Sequence, residues 1–284
     1  MPAFPIVDSH VHFLDHARVP LSWTKSVPAM DRRFVPADLD DERGEVDIEA
    51  IVFVEVNVDQ GQHLNEASWV AGLAADDPRI QAIVAHAPLH IGESVREDLQ
   101  QLAKQPLIKG IRRLIQDDDA ASLCASAAFR AGIRLLPEFG YHFEICVYHY
   151  QLGHALDLID ACPDVTFVVD HIAKPGIKAG VREPWWHEIA AAAALPNVVC
   201  KVSGVATEAD HVTWHEDALR PYLERVFDLF GPERTLFGSD WPVMRMAIAY
   251  PRWVEIVDAT MGHWPEADRR RFYVDNAKRL YRLS

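Results

Sequence analysis

Short, almost uninterrupted apolar segments recur along the chain and alternate with longer segments of helical periodicity. The apolar segments predict eight strands, over residues 4–12, 50–57, 81–89, 107–114, 143–148, 166–174, 197–204 and 234–242. Because polar residues do not alternate with apolar ones in these segments, the strands are expected to be buried on both faces, as in a parallel sheet.

The segments between the strands carry apolar residues at helical spacing. They predict helices over residues 65–76, 92–104, 122–139, 151–162, 187–195, 216–230 and 265–283. Eight buried strands alternating with helices over 284 residues favour an α/β fold, a distorted, TIM-like (β/α)8 barrel forming a single domain over residues 1–284. A doubly wound open sheet is the alternative, but no Gly-rich phosphate-binding loop follows the first strand.

Composition excludes some classes of partner. The net charge is −14 with no block of Lys or Arg, so neither nucleic acid nor an anionic membrane surface is an expected partner. No apolar run approaches the roughly 18 residues of a membrane span, and no signal peptide is recognised. The four cysteines form no C-x-x-C pair, which fits reduced thiols and a cytoplasmic location.

Polar side chains stand at the ends of the predicted strands, which is where a (β/α)8 barrel carries its active site. His10 and His12 end the first strand. Residues two apart on a strand point to the same side, so both imidazoles are expected to face one space. By the same spacing, Asp8 is expected to share that side and to orient His10. This pair can ligate a metal or donate hydrogen bonds to a substrate.

Three further side chains are candidates for catalysis or binding at the same end of the barrel. Asp240 can bind a metal or take a proton from water, or simply cap the next helix. His171 can donate to or orient a substrate, or bond a core carbonyl. Arg112 has a planar fork suited to a carboxylate or a polarised carbonyl, or it forms an ion pair at the barrel end.

Other residues at the strand ends suggest metal binding and contacts to a ring. Glu55 can be a metal ligand, a partner of a histidine or a structural residue. Lys174 and its loop can cover a substrate or remain solvated. Trp23 and Trp241 can stack on a sugar-like ring or pack in the core, and Trp241 is next to Asp240.

Five motifs then occur in one order along the chain. They are DSHVHF near the start, KGIRRLIQD (109–117), VVDHIAKP (168–175), VVCKVSGVATEAD (198–210) and LFGSDWPV (236–243). Together they resemble the amidohydrolase-related lactonases of the amidohydrolase superfamily, from about residue 5 to the C-terminus. The last two are most similar to the L-fuconolactonase and L-rhamnonolactonase group, and 2-pyrone-4,6-dicarboxylate lactonase belongs to the same branch.

The resemblance implies a distorted barrel that hydrolyses a sugar-acid lactone to the open hydroxy acid. Binuclear members of the superfamily use a carboxylated lysine on strand four, where this chain has Arg112. The resemblance therefore implies either catalysis without metal or a single divalent ion, with zinc the first choice. That ion would be held by His10, His12 and Asp240, with Glu55 as a further candidate ligand.

The predicted mechanism assigns both proton transfers to Asp240. His10, His12 and His171 polarise the lactone carbonyl, while Arg112, Trp241, Lys174 and Trp23 bind the substrate. Alternatives are a mononuclear metal-dependent amidase or decarboxylase of the same superfamily and a non-catalytic sugar-acid binding protein. The expected partner is a small lactone, and a homo-oligomer is compatible with the sequence.

Overall fold

The computed structural model describes residues 1–284 and contains one eight-stranded parallel sheet. The strands are β1 (Ile6–Val11), β2 (Ile48–Val54), β3 (Ile80–His86), β4 (Ile108–Arg112), β5 (His142–Ile145), β6 (Phe167–Val169), β7 (Val198–Val202) and β8 (Thr235–Phe237). Each strand pairs in parallel with the next one in the sequence. This sequential order confirms the predicted (β/α)8 barrel, since a doubly wound sheet reverses its strand order at a switch point.

The barrel closes at the carboxyl ends of β1 and β8. The amide of His12 donates to the Trp241 carbonyl at 2.7 Å, and the amide of Asp240 donates to the His10 carbonyl at 2.9 Å. A parallel bridge joins Val11 to Trp241. β6 and β8 contain only three residues each, whereas β2 and β3 contain seven, so the barrel is uneven. The closing bonds hold His10, His12 and Asp240 side by side.

Helices cover the outside of the barrel. They are α1 (Pro36–Glu42), α2 (His63–Asp76), α3 (Arg96–Leu102), α4 (Ala120–Ala125), α5 (Ala127–Arg134), α6 (Leu152–Ala161), α7 (Trp185–Ala194), α8 (Glu216–Phe230), α9 (Tyr250–Thr260), α10 (Glu266–Arg270) and α11 (Asn276–Tyr281). α8 has the predicted bounds. None of the helices is both long enough and apolar enough to cross a membrane.

Three long predicted helices are shortened or interrupted. Gly92, with φ of +69°, begins the helix predicted over 92–104 but lies inside a 3-10 segment, Leu89–Val95, so α3 starts only at Arg96. Ser126 is extended between α4 and α5, and its hydroxyl accepts the Phe129 amide as the cap of α5. A π-helical turn, Arg271–Asp275, lies between α10 and α11. Apolar spacing continues across these breaks, which is why periodicity alone predicted single helices.

The sequence did not predict α1 and α9. Both have a proline in the first turn, Pro36 in α1 and Pro251 in α9. Proline is well suited to this position because its fixed φ matches the helix and its missing N–H has no intrahelical acceptor there.

Candidate active site

After three of the strands, the chain continues with residues in the left-handed backbone conformation. Asn57 follows β2 with φ of +52°, and Asp240 follows β8 with φ of +65°. After β6, the four consecutive residues His171–Lys174 have φ of +52°, +48°, +58° and +44°. Non-glycine residues pay roughly 1–2 kcal/mol each in this region. The strained residues Asn57, His171, Lys174 and Asp240 all border one cavity.

This cavity has a volume of about 400 Å³ and lies at the carboxyl ends of the strands. His12, Arg112, His171 and Asp240 contribute polar atoms from the strand ends. The loops after β4, β5 and β6 form a polar wall of Gln116, Asp117, Tyr148 and Lys174. The segments that follow β1 and β8, on the far side of the barrel, form a largely apolar wall with Leu14, Val27, Met30, Val243 and Met246.

Asp240 lies among three imidazoles. Its Oδ1 is 3.2 Å from His12 Nε2 and 3.7 Å from His10 Nε2, and its Oδ2 is 4.0 Å from His171 Nδ1. Burial acts to raise the pKa of Asp240, but His171, His12 and His10 together hold it well below the usual range of an aspartate. Asp240 is therefore a carboxylate at neutral pH.

His171 is held beside Asp240 by a serine and a glycine. Its Nδ1 is 2.9 Å from the Ser203 hydroxyl. A Cβ on Gly204 would lie 2.7 Å from Asp240 Oδ2 and 2.9 Å from His171 Nδ1, so only glycine leaves room for both side chains. Burial lowers the pKa of His171 to about 4, although Asp240 and Asp170 act to raise it. At neutral pH this imidazole is uncharged.

Each of the three guanidinium nitrogens of Arg112 contacts an oxygen of another residue. Its Nε donates to Glu55 Oε1 at 2.7 Å, one NH group donates to the Glu55 carbonyl at 2.6 Å, and the other lies 3.2 Å from Asp170 Oδ2. Glu55 Oε2 accepts the Asn57 amide at 2.7 Å. Both Glu55 oxygens are thus occupied, and Glu55 lies outside the clusters of side chains that could share a metal ion.

A fully buried ammonium lies beneath His10. Lys201 Nζ donates to Glu144 Oε2 at 2.5 Å and lies 3.3 Å from His10 Nδ1 and 3.5 Å from Asp170 Oδ1. The Tyr281 hydroxyl donates to the other Glu144 oxygen at 2.7 Å. Burial, followed by the charge of Lys201, lowers the pKa of His10 well below its ordinary value.

Lys201 and Glu144 lie within the strands predicted over residues 197–204 and 143–148, but no role was predicted for either. Each is a single charged residue inside an apolar strand. Because an unpaired buried charge is too costly to keep, this pattern could have predicted that each has a buried partner of opposite charge. Nothing in the sequence indicates that Tyr281, on the last helix, reaches the centre of the barrel.

Of the predicted catalytic residues, His12, His171 and Asp240 border the cavity, and His10 is completely buried behind them. Asp8 accepts the backbone amides of His10 and Ser239 and the Tyr250 hydroxyl. It therefore bonds the backbone of His10, and none of its hydrogen bonds is to the imidazole.

The four predicted substrate-binding residues have different surroundings. Arg112, Lys174 and Trp23 line the cavity. Lys174 Nζ donates to Gln116 at 2.6 Å, and Trp23 donates to the Val56 carbonyl at 2.8 Å. Trp241 is fully buried, donates to Glu42 at 2.9 Å and packs against aromatic rings. Its ring is in the core, so the structure corrects the prediction that it stacks on the substrate.

The cluster of His10, His12 and Asp240 fits a single divalent ion. His12 Nδ1 donates to the Val54 carbonyl at 2.8 Å, so a neutral His12 presents the lone pair of Nε2 to Asp240 Oδ1 at 3.2 Å. Two lone pairs at this distance repel each other unless a cation lies between them. Two imidazoles and one carboxylate are a ligand set suited to zinc. The buried Oδ1 of Asp170 has no hydrogen-bond partner and lies 3.5 Å from His10 Nδ1, and the Lys201 ammonium lies 3.3 Å from the same nitrogen.

Comparisons with known proteins show what the whole chain is similar to. The chain is 31% identical to an L-fucono-1,5-lactonase from Burkholderia ambifaria, over 98% of this chain and 95% of that protein. It is 23% identical to an L-rhamnono-gamma-lactonase from Scheffersomyces stipitis over the full length of both. A crystal structure of an amidohydrolase from Burkholderia multivorans with bound zinc superposes with a TM-score of 0.89 at 26% identity, covering 99% of this chain and all of that one.

The family model described as amidohydrolase matches residues 7–283. The match includes every residue of the site and all eight strands of the barrel except Ile6, the first residue of β1. It confirms the predicted superfamily and the predicted class of enzyme, a hydrolase. By the extent of this match, the chain belongs to the amidohydrolase family.

Proposed function

We propose that this protein hydrolyses a sugar-acid lactone to the open hydroxy acid. The observation that carries the proposal is the ionised Asp240 carboxylate, which lies close to His12 and His171 at the border of the cavity. Ester hydrolysis needs a base for the attacking water and hydrogen-bond donors for the oxygen that becomes negative. The similarity to lactonases that act on L-fucono- and L-rhamnono-lactones supports a lactone as the ester.

Asp240 is the general base. Because its pKa is low, it takes the proton only as water bonds to the carbonyl carbon and becomes acidic, so proton transfer accompanies attack. The tetrahedral intermediate then collapses by breaking the bond between the carbonyl carbon and the ring oxygen. Asp240 returns the proton to that oxygen, and the product is a hydroxy acid.

His171 stabilises the oxygen that develops negative charge. His12 donates its Nδ1 proton to the Val54 carbonyl, so it would act on that oxygen only through a bound cation. A Ser203 hydroxyl that donates to Nδ1 of His171 leaves the imidazole proton on Nε2, from which it can donate to the carbonyl oxygen. His10 is buried behind His12 and His171. The positive charges of Arg112 and Lys201 lie close to its ring and help to stabilise the same oxygen. A divalent ion held by His10, His12 and Asp240 would supply additional Lewis-acid polarisation of the carbonyl.

The two walls of the cavity favour a particular kind of lactone. Gln116, Asp117 and Lys174 provide donors and acceptors for ring hydroxyls. Val27, Met30 and Met246 offer no polar group on the other side. The cavity therefore fits a lactone with hydroxyls along one edge and an apolar carbon substituent at the other.

A panel of 1,4- and 1,5-aldonolactones in a pH-indicator assay tests the proposal, because hydrolysis releases a proton and binding does not. We expect turnover of at least one aldonolactone, with substrates bearing an apolar terminal carbon preferred over those bearing a hydroxyl there. Absence of turnover across the panel, with lactone binding by calorimetry, would indicate the sugar-acid binding protein instead.

Metal content separates the proposal from the alternative of an amidase or decarboxylase. The assay is repeated after chelation and dialysis, with bound metal measured by elemental analysis. Lactone turnover that survives removal of the metal supports hydrolysis by the protein's own residues. Activity on amides or carboxylated aromatics alone, lost on chelation, supports the alternative.

A further inference from the structure

The segment after β6 makes one turn of a left-handed helix from residues that have a Cβ atom. His171, Ile172, Ala173 and Lys174 all have φ between +44° and +58°. The amide of Lys174 donates to the carbonyl of His171 at 2.9 Å and closes the turn. Consecutive left-handed residues are disfavoured, and most of all for a β-branched residue such as Ile172. Such a turn persists only if its surroundings hold it.

The turn brings two functional side chains to the cavity. His171 and Lys174 are three residues apart, and both border the cavity. Ile172 and Ala173, between them, are completely buried. If the segment relaxed to ordinary backbone angles, the side chains of His171 and Lys174 would leave the positions that Ser203 and Gln116 now fix.

Two residues outside the cavity hold the turn by its carbonyl groups. The indole N–H of Trp185, on α7, donates to the Ile172 carbonyl at 2.6 Å, and Trp185 is fully buried. His149 follows β5, and both its amide and its Nδ1 lie 3.2 Å from the Lys174 carbonyl. Since a carbonyl only accepts, Nδ1 of His149 carries a proton. A Cβ on Gly176 would lie 3.1 Å from the His149 ring, so the loop packs closely on that imidazole.

We infer that Trp185 and His149 are positioning residues for the hydrolysis, acting through the left-handed turn without touching the substrate. Trp185 fixes the carbonyl next to His171, which polarises the substrate carbonyl. His149 fixes the carbonyl of Lys174, which binds the substrate. The inference rests on the proposed lactone hydrolysis for these two roles, and it predicts that the two residues affect different kinetic constants.

The test uses full-length variants and the best lactone of the panel at 25 °C. Trp185→Phe keeps a ring in the core and removes the indole N–H. We expect kcat to fall about tenfold with KM changed less than threefold, since displacement of about 1 Å can cost up to a hundredfold in rate. His149→Ala is expected to raise KM at least fivefold with a smaller effect on kcat. His149→Asn, which restores a donor, should recover part of the loss.

Trp186→Phe is the matched control. Trp186 is the next residue on α7; its ring packs against Trp185, Tyr222, Arg182 and Arg225, and its indole N–H makes no hydrogen bond to the turn. Its replacement should leave both constants unchanged. If Trp185→Phe and His149→Ala lowered only the melting temperature and left kcat and KM at wild-type values, the positioning role would be overturned.

A nitrogen–proton NMR spectrum of the imidazoles gives a readout independent of turnover. The His171 signals, assigned with His171→Asn, should move in Trp185→Phe and stay in place in Trp186→Phe. Unmoved His171 signals in Trp185→Phe would also contradict the inference. A wild-type protein that hydrolysed no lactone would refute the proposed function, while the NMR comparison would still decide whether Trp185 positions His171. If Trp185→Phe does not fold, the KM values of His149→Ala and His149→Asn still test whether the turn positions the substrate-binding Lys174.

Discussion

Replacement of Lys201 by methionine removes the only ammonium between two buried carboxylates. Lys201 Nζ lies 2.5 Å from Glu144 Oε2 and 3.5 Å from Asp170 Oδ1, and all three side chains are completely buried. Methionine has a similar length and no charge. Glu144 keeps the Tyr281 hydroxyl and His142 as partners, and Asp170 keeps Arg112. Breaking a buried ion pair by removing one partner costs about 3–5 kcal/mol, so we expect a loss in that range for Lys201→Met.

The loss should depend on pH. Burial acts to raise the pKa values of Glu144 and Asp170, but Lys201 is the largest opposing influence on both, and both pKa values are lowered in the folded protein. A lowered carboxyl pKa gives stability that is present above the unfolded pKa and disappears as the pH falls through the folded value. Without Lys201 this contribution shrinks. The difference in stability between wild type and Lys201→Met is therefore largest near pH 7 and narrows as the pH falls below about 4.5, an ordinary glutamate value.

Urea unfolding followed by circular dichroism at pH 7, 5 and 4 measures this difference. Lys109→Met is the matched control, because Lys109 also lies on a barrel strand, β4, but is only partly buried. It should cost less than about 0.5 kcal/mol, as exposed substitutions usually do. A loss below 1 kcal/mol for Lys201→Met, or a loss that stays constant from pH 7 to pH 4, would refute the claim that Lys201 neutralises the two carboxylates.

Three further outcomes are expected. Gly204→Ala should lower kcat at least tenfold because its Cβ would lie under 3.0 Å from Asp240 and His171. Gly180→Ala is its control: Gly180 has φ of +64° and open space around it, so this variant should lose stability but keep its kcat. Trp241→Phe should lower the unfolding free energy, measured in urea, by about 1–3 kcal/mol and leave KM unchanged, since the Trp241 ring lies in the core. A severalfold rise in KM would instead indicate that the ring contacts the substrate. The imidazole signals of His171 in a nitrogen–proton NMR spectrum should show no titration from pH 8 down to about 5, because burial lowers the pKa of His171 to about 4; titration of these signals near 6.5 would contradict an uncharged His171.

The sequence predicted the barrel because each buried strand is a short apolar segment of its own. His10, His12 and Asp240 were predicted together because the carboxyl ends of parallel strands meet at one end of a barrel. The structure brings both histidines within 3.7 Å of Asp240 through bonds that close β1 onto β8. That closure depends on backbone hydrogen bonds, which leave no pattern in the side chains.

The support around these residues could not be predicted in the same way. Tyr281 lies 137 residues from Glu144, its partner. The left-handed turn at residues 171–174 contains no glycine, so its backbone conformation has no sequence signal. Trp241 follows Asp240 directly, but Asp240 is in the left-handed region, and the change of direction sends the Trp241 ring to the core. Adjacency in sequence therefore gave the wrong surroundings for Trp241.

Turnover of the preferred aldonolactone by Asp240→Asn tests the central claim most directly. Asparagine has nearly the same shape but cannot take a proton from water or return one to the ring oxygen. General acid–base catalysis contributes roughly 10²–10⁴-fold to rate, so kcat should fall by at least a hundredfold while lactone binding and the melting temperature change little. Asp228→Asn, an exposed carboxylate on α8, serves as the control and should keep full activity. A kcat for Asp240→Asn within a few-fold of wild type would contradict the assignment of both proton transfers to Asp240.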